Sequence, residues 1–241
     1  MLKGRVNVMR VMTFNVQHCL DFIKKEINVD LFAEAIRKQN VDVCCLNEVY
    51  NEGPRERNTD QSGYIAEKLG FYPFFGEAIK VGGENPYGIA MVSRFAFKSV
   101  EKVDIPDRDT DKPRFEHRCC IKAVVEVDGQ DVTVINSHFG LNDGEKQSAV
   151  ETVCRLVGEC ETPVIVTGDF NMQPDNEILR PLFECLKDTT ELDKGQTNTF
   201  RSDDPTRKID YILYKGLRCV SCETVNEIYA DHLPIVAEFK F

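Results

Sequence analysis

The sequence lacks long apolar segments and clusters of basic residues. No apolar run among its 241 residues approaches the ~20 residues that a membrane span needs. The start of the sequence has no apolar core long enough for a signal peptide. No run of lysine and arginine exceeds two residues, and the formal net charge is −10. A general basic surface for nucleic acid is disfavoured, because neutralising phosphates requires clustered cations. We expect a cytoplasmic protein whose acidity serves solubility, although carboxylates gathered at one point would also recruit a divalent cation.

Internal repeats, linkers and low-complexity tracts are also lacking. The chain is 42% hydrophobic, so it can bury a sizeable core, and its length suits one α/β domain. We therefore expect one domain over residues 1–241 and a monomer.

The ten cysteines lack the spacing of a complete metal site. The pairs at 44–45 and 119–120 lie in apolar, strand-like runs, which predicts buried thiols. Cys219 and Cys222 have the spacing of half a zinc site, but no second pair with matching spacing follows. Zinc is the less favoured interpretation.

Apolar periodicity predicts strands and helices in alternation, with several direct hairpins. The predicted strands or apolar segments cover residues 5–14, 41–46, 71–79, 88–97, 119–127, 131–137, 163–167, 209–214, 217–224 and 234–240. Four helices are predicted. The first follows Asp30 as its N-cap and the second ends at Gly70. The third spans 145–157, and the fourth runs from near Asp175 to Leu186.

Two kinds of connection join these elements. The charged stretch 104–116 and the polar stretch 51–62 are predicted to be loops, with a substrate-specificity role for 104–116 as the lesser alternative. Asp128-Gly129 predicts a tight hairpin. Together the pattern predicts an α/β protein, a four-layer α/β/β/α sandwich of two packed mixed sheets, with strand ends gathered on one rim.

One stretch stands out because an apolar run stops abruptly at Gly168 and is followed by Asp169 and Asn171. If the chain stays extended, these two side chains point the same way and converge on one spot. An Asx turn that caps the next helix near Asp175 is the alternative. The fragment alone leaves both interpretations open.

Other apolar runs also end in polar residues that could carry chemistry. In chain order these are Asn15, Glu48, His138, Asp169 with Asn171, Asp210, and Asp231 with His232. Singly, each has an ordinary structural explanation: a turn former, a solvated carboxylate, an ion pair for Asp210 with Lys208 or Arg207, or a core histidine. The order and the restriction to Asn, Asp, Glu and His favour a site, and two of the four histidines belong to it.

The ordered motifs resemble the endonuclease/exonuclease/phosphatase superfamily, whose fold is DNase I-like, in a small bacterial-type form. They are Thr13-Phe14-Asn15, Leu46-Asn47-Glu48, Ser137-His138, Gly168-Asp169-Phe170-Asn171, Ile209-Asp210-Tyr211 and Asp231-His232-Leu233-Pro234. They extend from residue 13 to 234, nearly the whole chain. The resemblance implies hydrolysis of a phosphate ester by in-line attack of water.

The resemblance also implies a metal. Glu48, aided by Asn15, would hold Mg²⁺, with Mn²⁺ as an alternative, and Asp231 would lie on the metal side. The carboxylate of Asp210 would orient His232 and raise its basicity.

The remaining roles concern water and phosphate. Asp169 would position the attacking water, Asn171 would donate to the pentavalent intermediate, and His232 would act as base or contact the phosphate. His138 would bind a phosphoryl oxygen or assist the leaving group. Arg118 resembles the family's phosphate-binding arginine, with a surface ion pair as an equal alternative.

Two stretches of the sequence disfavour particular branches of the superfamily. The sequence around His138 differs from the pattern of abasic-site endonucleases, and 208–211 differs from that of inositol-polyphosphate 5-phosphatases. A histidine at 138 is closer to the DNase I, sphingomyelinase and deadenylase branches and to small bacterial members.

A small or lipid-like phosphodiester or phosphomonoester is the favoured substrate. A nuclease is the first alternative, for which a local basic strip would have to form from Arg55, Arg57, Arg94, Arg114 and Arg118. A non-catalytic binding module on the same fold is the second.

Overall fold

The computed structural model describes residues 8–52 and 59–241, and within these ranges it contains twelve strands and four α-helices. The strands are β1 (Val8–Asn15), β2 (Val43–Tyr50), β3 (Tyr72–Val81), β4 (Asn85–Ser93), β5 (Phe97–Asp104), β6 (Cys119–Val127), β7 (Gln130–His138), β8 (Val164–Asp169), β9 (Lys187–Asp188), β10 (Asp210–Lys215), β11 (Arg218–Thr224) and β12 (Ile235–Lys240). The helices are α1 (Val29–Gln39), α2 (Gln61–Leu69), α3 (Asp143–Gly158) and α4 (Arg180–Cys185).

The strands form two mixed sheets of six strands each. The first has the order β11-β12-β1-β2-β4-β3 and the second β5-β6-β7-β8-β10-β9. In each sheet one central pair is parallel, β1 with β2 and β7 with β8, and the other neighbours are antiparallel. Parallel neighbours place their carboxyl ends at one edge, which is where the polar ends of these four strands meet.

Apolar side chains on both faces of the central strands explain the layers. Val11 and Val134 belong to the core between the sheets, together with Ile165 and Ile212. On the outer face of the first sheet, α1 and α2 pack against β1, β2 and β4 through an apolar cluster that includes Phe32. Helices α3 and α4 cover the second sheet through another such cluster. The predicted four-layer sandwich is confirmed.

Two helix starts differ from the sequence-based prediction. Helix α1 begins before Asp30, because Asn28 is the N-cap and its Oδ1 accepts the Leu31 N–H at 3.1 Å. After the Asp169 strand, Asn176 rather than Asp175 is the cap, and its Oδ1 accepts the Ile178 N–H at 3.0 Å. That cap opens a short 3₁₀ turn that leads into α4. Asn and Asp are comparable caps, so neighbouring candidates could not be separated by type.

The strands also differ from the prediction, in one boundary and in two strands that were not predicted. The predicted strand at 41–46 instead continues to Tyr50, because a β-bulge at Glu48 keeps β2 paired with β4 beyond that residue. Strand β5 was not predicted, since most of its exposed positions are charged, as expected of a sheet edge. The two-residue strand β9 was also missed.

The loop between β5 and β6 lies against α3. Its surface is mostly exposed, as predicted, but Asp109 Oδ2 accepts the Gly144 N–H at 2.8 Å and Ser148 Oγ donates to the Pro106 carbonyl at 2.5 Å. Arg108 forms a bidentate ion pair with Glu151. These contacts fix the loop, whose last residue is Arg118, against α3.

The β6–β7 hairpin turns at Asp128-Gly129, as predicted, with both residues at positive φ (51° and 84°). The opposite end of this hairpin carries Arg118 and His138. The thiols at 44–45 and 119–120 are buried, as predicted. Across residues 8–52 and 59–241 no helix is long and apolar enough to cross a membrane.

Candidate active site

Strand register places three of the predicted residues side by side at the edge of the second sheet. His138, the last residue of β7, pairs with Asp169 at the end of β8. Asp169 in turn pairs with Asp210, the first residue of the antiparallel strand β10. All three are buried, with exposures of 6%, 1% and 1%. The three strand ends therefore supply an imidazole and two carboxylates at one place.

The first sheet contributes Asn15 and Glu48 at the same place. Asn15 Nδ2 donates to Glu48 Oε1 at 3.0 Å and to Asp169 Oδ2 at 3.1 Å, so it links the carboxylates of the two sheets. Its Oδ1 accepts the Gln17 N–H at 3.0 Å, which fixes the direction of the amide. In this arrangement Asn15 orients Glu48, whereas a direct bond to a metal would need the oxygen that now faces Gln17.

Glu48 stands out from its strand through a local backbone distortion. It sits in the β2 bulge with φ = 60°, a left-handed conformation uncommon for this residue type. Its Oε2 accepts a hydrogen bond from the Tyr87 hydroxyl at 2.9 Å. Bulges re-aim side chains beside active sites, and here the bulge turns the carboxylate toward Asn15 and Tyr87.

The structure differs in part from both interpretations of Asp169 and Asn171, because the chain does not stay extended here and the next helix is capped by Asn176. The backbone turns at Asn171, with φ = 51°, and its N–H donates to Asp169 Oδ1 at 2.9 Å as in an Asx turn. The Asn171 side chain nevertheless reaches the site, since its Nδ2 lies 3.2 Å from His138 Nε2 and donates to the Phe139 carbonyl at 3.0 Å. The pair is a turn and part of the site at once.

His232 forms a carboxylate–imidazole pair with Asp210. Its Nδ1 lies 2.8 Å from Asp210 Oδ2, and its Nε2 lies 3.7 Å from Asp169 Oδ2. Burial alone would lower the pKa of His232, but the charges of Asp210 and Asp169 outweigh burial and raise it to about 10. In the metal-free protein these two carboxylates therefore favour the charged form of the ring.

The carboxyl group of Asp169 interacts with several other groups of the site. Burial, and then the charge of Asp210, raise the pKa of Asp169 to about 7, against the lowering effects of His232 and of two hydrogen bonds. Its Oδ2 lies 3.6 Å from His138 Nε2 as well as 3.7 Å from His232 Nε2. Asp169 thus lies between two imidazoles.

His138 faces two donors. Arg118 Nη1 lies 3.1 Å from Nδ1 of the ring, and Asn171 Nδ2 lies 3.2 Å from Nε2. Burial, then Arg118 and His232, keep the pKa of His138 well below its usual 6.5, so the ring is neutral. A neutral imidazole accepts only one hydrogen bond. At most one of the two N–H groups can therefore donate to the ring, and the other is not committed to His138.

Arg118 forms the ion pair that was one of its two alternatives, and it also contacts His138. Its Nη2 lies 2.8 Å from Glu116 Oε2, an ion pair, while Nη1 points at His138. The side chain is only 10% exposed, and its Nε has no hydrogen-bond partner among the residues that the structure describes.

The carboxylates could hold a divalent cation. Ligand atoms of Glu48, His138 and Asp169 lie within 4.8 Å of one another, and so do those of Asp169, Asp210 and His232. Buried Oδ1 atoms of Asp210 and Asp231 accept no hydrogen bond from any described residue. Burial, and to a lesser extent the charge of Glu48, raise the pKa of Asp231. Unpartnered carboxylate oxygens and excess negative charge fit a hard cation such as Mg²⁺ or Mn²⁺.

Two groups of predicted residues are not brought together. Arg94 follows the end of β4 that pairs with the start of β2, so it lies at the opposite end of the sheet from Glu48, where it pairs with Asp42. Arg55 and Arg57 lie outside the described residues. Arg94 therefore cannot contribute to the basic strip that the nuclease alternative requires beside Glu48. Neither Cys219 nor Cys222 joins a metal-binding cluster in the described ranges.

Sequence reasoning missed the residues that join the two sheets beside the site. Asn47 Oδ1 accepts the Asp169 N–H at 3.2 Å, and Asn47 Nδ2 donates to the Ser137 carbonyl at 3.2 Å. Asn136 Nδ2 donates to the carbonyls of Leu46 and Ala90 at 3.0 and 3.1 Å. The signal that could have found Asn47 and Asn136 is an amide inside an otherwise apolar strand.

Tyr87 and His18 were also missed. Tyr87 contacts Glu48, and His18 interacts electrostatically with it, although burial is the larger effect and lowers the pKa of His18. Tyr87 lies in β4, just before the apolar segment predicted at 88–97, and His18 follows the first strand in an irregular turn. Neither position carries a signal in the periodicity.

Comparison with known proteins agrees with this geometry. The model of the Endonuclease/Exonuclease/phosphatase family matches residues 12–232. The structure resembles an endonuclease/exonuclease/phosphatase from Beutenbergia cavernae, with TM-score 0.83 and 21% identity over 98% of this chain and 72% of that one.

Two further solved structures share the fold. A mannosyl-6-phosphatase from Bacteroides thetaiotaomicron has TM-score 0.79 and 14% identity over 97% of this chain and 100% of that one. The human Nocturnin catalytic domain with bound sulfate has TM-score 0.73 and 19% identity over 98% and 94% of the respective chains.

Proposed function

The chain belongs to the endonuclease/exonuclease/phosphatase family, and we propose that it is a metal-dependent hydrolase of a small phosphate ester, with one domain over the whole chain. The observation that carries the proposal is the position of Asp169, whose Oδ2 lies 3.6 and 3.7 Å from the Nε2 atoms of His138 and His232. A carboxylate between two imidazoles can place a water and take or return its proton.

The side chains divide into two functional groups. Asp169 would position the attacking water, while His232, held by Asp210 and charged, would stabilise negative charge on the phosphoryl oxygens. Neutral His138, and whichever of Arg118 and Asn171 does not donate to its ring, would donate hydrogen bonds to the same oxygens. We propose His232 as a charge-stabilising group and Asp169 as the proton acceptor.

Glu48 and Asp231 are the residues that would hold Mg²⁺ or Mn²⁺, with Asn15 orienting Glu48. Once bound, the cation would neutralise charge on the phosphate and on the oxygen that leaves. The site has more carboxylates than cationic side chains, and without a bound metal these carboxylates would repel a phosphate. This surplus of negative charge supports a metal-dependent reaction.

A small ester is favoured over a nucleic acid. Arg94, one of the five arginines considered for a basic strip, lies at the opposite end of the sheet from Glu48, and a nucleic-acid substrate needs such a strip for its backbone. The resemblance to a mannosyl-6-phosphatase supports a phosphomonoester, and a phosphodiester is the alternative.

The first test is a panel of phosphomonoesters, phosphodiesters, plasmid DNA and RNA, incubated with the purified protein and Mg²⁺. We expect hydrolysis of a small ester, lost in EDTA and restored by Mg²⁺ or Mn²⁺. Cleavage of plasmid alone would select the nuclease alternative, and an inert panel would contradict the proposal.

The second test concerns the residues. Glu48→Gln and Asp169→Asn should each lower kcat/KM by about 100-fold or more, because both remove charge from the reacting centre. Glu184→Gln and Asp204→Asn, which remove exposed carboxylates elsewhere, are the controls and should retain full activity. Unchanged rates in both site variants would refute the assigned roles.

A further inference from the structure

A group of aromatic side chains lies on the Glu48 side of the site and has no part in the proposed chemistry. We call His18, Tyr50 and Tyr87 the aromatic rim. The His18 ring meets Tyr50 edge-on at 5.7 Å between centroids, and Tyr50 lies 4.8 Å from Tyr87. Tyr87 connects the rim to the site through its 2.9 Å hydrogen bond to Glu48 Oε2. Each of the three residues is half-buried, so each keeps part of its surface open to solvent.

An unfavourable backbone holds His18 in the rim. Gln17, His18 and Cys19 all have left-handed φ, at 44°, 48° and 59°, although none is glycine. Such conformations persist only where surrounding contacts enforce them, and they concentrate at functional sites.

The enforcing contacts come from the site and its surroundings. The Gln17 N–H is fixed by Asn15 Oδ1 at 3.0 Å. Gln61, which is fully buried, donates to the His18 carbonyl at 2.7 Å and accepts the Tyr50 N–H at 2.9 Å. One side chain thus sets the backbone of two rim residues relative to each other.

The chemistry of the rim suits the organic part of a phosphate ester rather than the phosphate. None of its members adds a permanent positive charge, whereas Arg118 and His232 already face the position proposed for the phosphate. The rings offer apolar faces. The ring nitrogens of His18 form no hydrogen bond to another residue within 8–52 and 59–241, so they can bind a hydroxyl.

We infer that the aromatic rim is the specificity subsite for the group esterified to the phosphate, and that this group is a hydroxylated ring such as a sugar. The inference rests on the proposed function. A sugar ring presents C–H groups on its faces and hydroxyls on its edge, which matches aromatic faces beside a free imidazole. An acyl chain would instead need a long apolar groove, and three side chains with polar edges do not provide one.

Binding is tested without turnover by NMR. The four histidines give four ring C–H signals, and the signal missing in His18→Asn identifies His18. Asparagine is chosen because it tolerates left-handed φ. The protein with Mg²⁺ is titrated with the phosphonate analogue of glucose 6-phosphate and, separately, with that of glycerol 3-phosphate. We expect the His18 signal to shift with the sugar phosphonate and much less with the glycerol phosphonate, while equal or absent shifts would overturn the inference.

Kinetics test specificity with two natural phosphomonoesters, glucose 6-phosphate and glycerol 3-phosphate. His18→Asn and Tyr50→Ala should each raise KM for the sugar phosphate by about tenfold, as expected for loss of one stacking or hydrogen-bonding contact, with little change in kcat. KM for glycerol 3-phosphate should stay the same. Tyr72→Ala, at an exposed position outside the rim, is the matched control.

The two proposals fail in different ways. Hydrolysis that is equally fast for both esters, or equally reduced by the rim variants, would overturn the subsite and leave the phosphoesterase standing. If no ester is hydrolysed while the His18 signal still responds selectively to the sugar phosphonate, the hydrolase proposal fails and the ring-binding subsite is supported. Thermal unfolding of each variant shows whether a loss comes from misfolding.

Discussion

At the scale of single residues, Asp169 determines the electrostatics of the site. Its carboxylate accepts hydrogen bonds from Asn15 and from the backbone of Asn171, and it lies between His138 and His232. Burial and Asp210 together raise its pKa to about 7. An acidic group held in this way makes folding less favourable at neutral pH, as many catalytic groups do.

The pH dependence of stability follows from that shift. The pKa of Asp169 is higher in the folded protein (about 7) than its ordinary 3.8, so stability falls as pH rises from about 4 to 7. The raised pKa of His232 stabilises the fold below pH 6.5, and that contribution is lost as pH rises toward 10. Both shifts predict that the metal-free protein is more stable at pH 5 than at pH 9.

Replacing Asp169 with asparagine should remove the loss of stability that this carboxyl group causes as pH rises from about 4 to 7. In EDTA at pH 8, Asp169→Asn should be more stable than the unmodified protein by about 1 kcal/mol, a partial gain because His232 loses an attractive partner. At pH 4 the two should be nearly equal. Urea unfolding at both pH values measures this, with Asp204→Asn as control; a variant that is less stable at pH 8 would contradict it.

Residue identity was predictable where a side chain ends an apolar run. His138 and Asp169 end strands, Asp210 begins one, and Glu48 follows the apolar part of β2, so the motif order located them in the chain. Tyr87 was not predictable, because its contact with Glu48 depends on the pairing of β2 with β4. Contacts between distant strands leave no trace in local periodicity.

At the scale of elements, the end of β8 depends on Gly168. Its φ is 142°, and a Cβ added there would lie 1.8 Å from the Ser137 carbonyl oxygen of β7. Only glycine permits the two strands to approach this closely, and the approach puts Asp169 in register with His138.

Gly168→Ala should therefore be severe. We expect a loss of about 3 kcal/mol or more in unfolding free energy and a large fall in kcat, since relief of the clash must displace Asp169. Gly158→Ala is the control, because a Cβ at this last residue of α3 meets nothing within 4 Å. That variant should be neutral or slightly more stable in chemical denaturation. Equal effects of the two substitutions would refute the argument.

Element type was predicted better than element boundaries. The strand before Asp169 was evident from its β-branched residues, but the continuation of β2 past Glu48 depends on a bulge that pairs with β4. Strand β5 has the charged residues of a solvated edge, and its pairing with β6 alone makes it a strand.

At the scale of the whole molecule, buried amides set the position of one sheet on the other. Asn47 and Asn136 are fully buried and bond across the interface, each to backbone of the opposite sheet. Glu48 belongs to one sheet and Asp169 to the other. The geometry of the site therefore depends on how the sheets are stacked.

Asn136→Ala should weaken both stability and activity. Loss of its hydrogen bonds to Leu46 and Ala90 leaves buried acceptors without this donor, for which we expect about 2–4 kcal/mol of destabilisation. The rate should fall even at temperatures where the variant is folded, because the sheets can then shift. Gln130→Ala, at the exposed start of β7, is the control. If the variant is destabilised but fully active, the activity does not depend on this contact between the sheets, which would contradict the prediction.

The layer architecture was predictable because strands apolar on both faces must be covered twice. Which amide crosses to which carbonyl was not, since that requires the relative position of two sheets formed by distant segments.

The Asp128-Gly129 turn of the β6–β7 hairpin offers a practical handle. Arg118 and His138 lie at the other end of that hairpin, a full strand length away from the turn. A fluorophore or surface linker attached there would immobilise or report on the protein without obstructing the site. Single-molecule and biosensor formats could then be built on this chain before its natural substrate is identified.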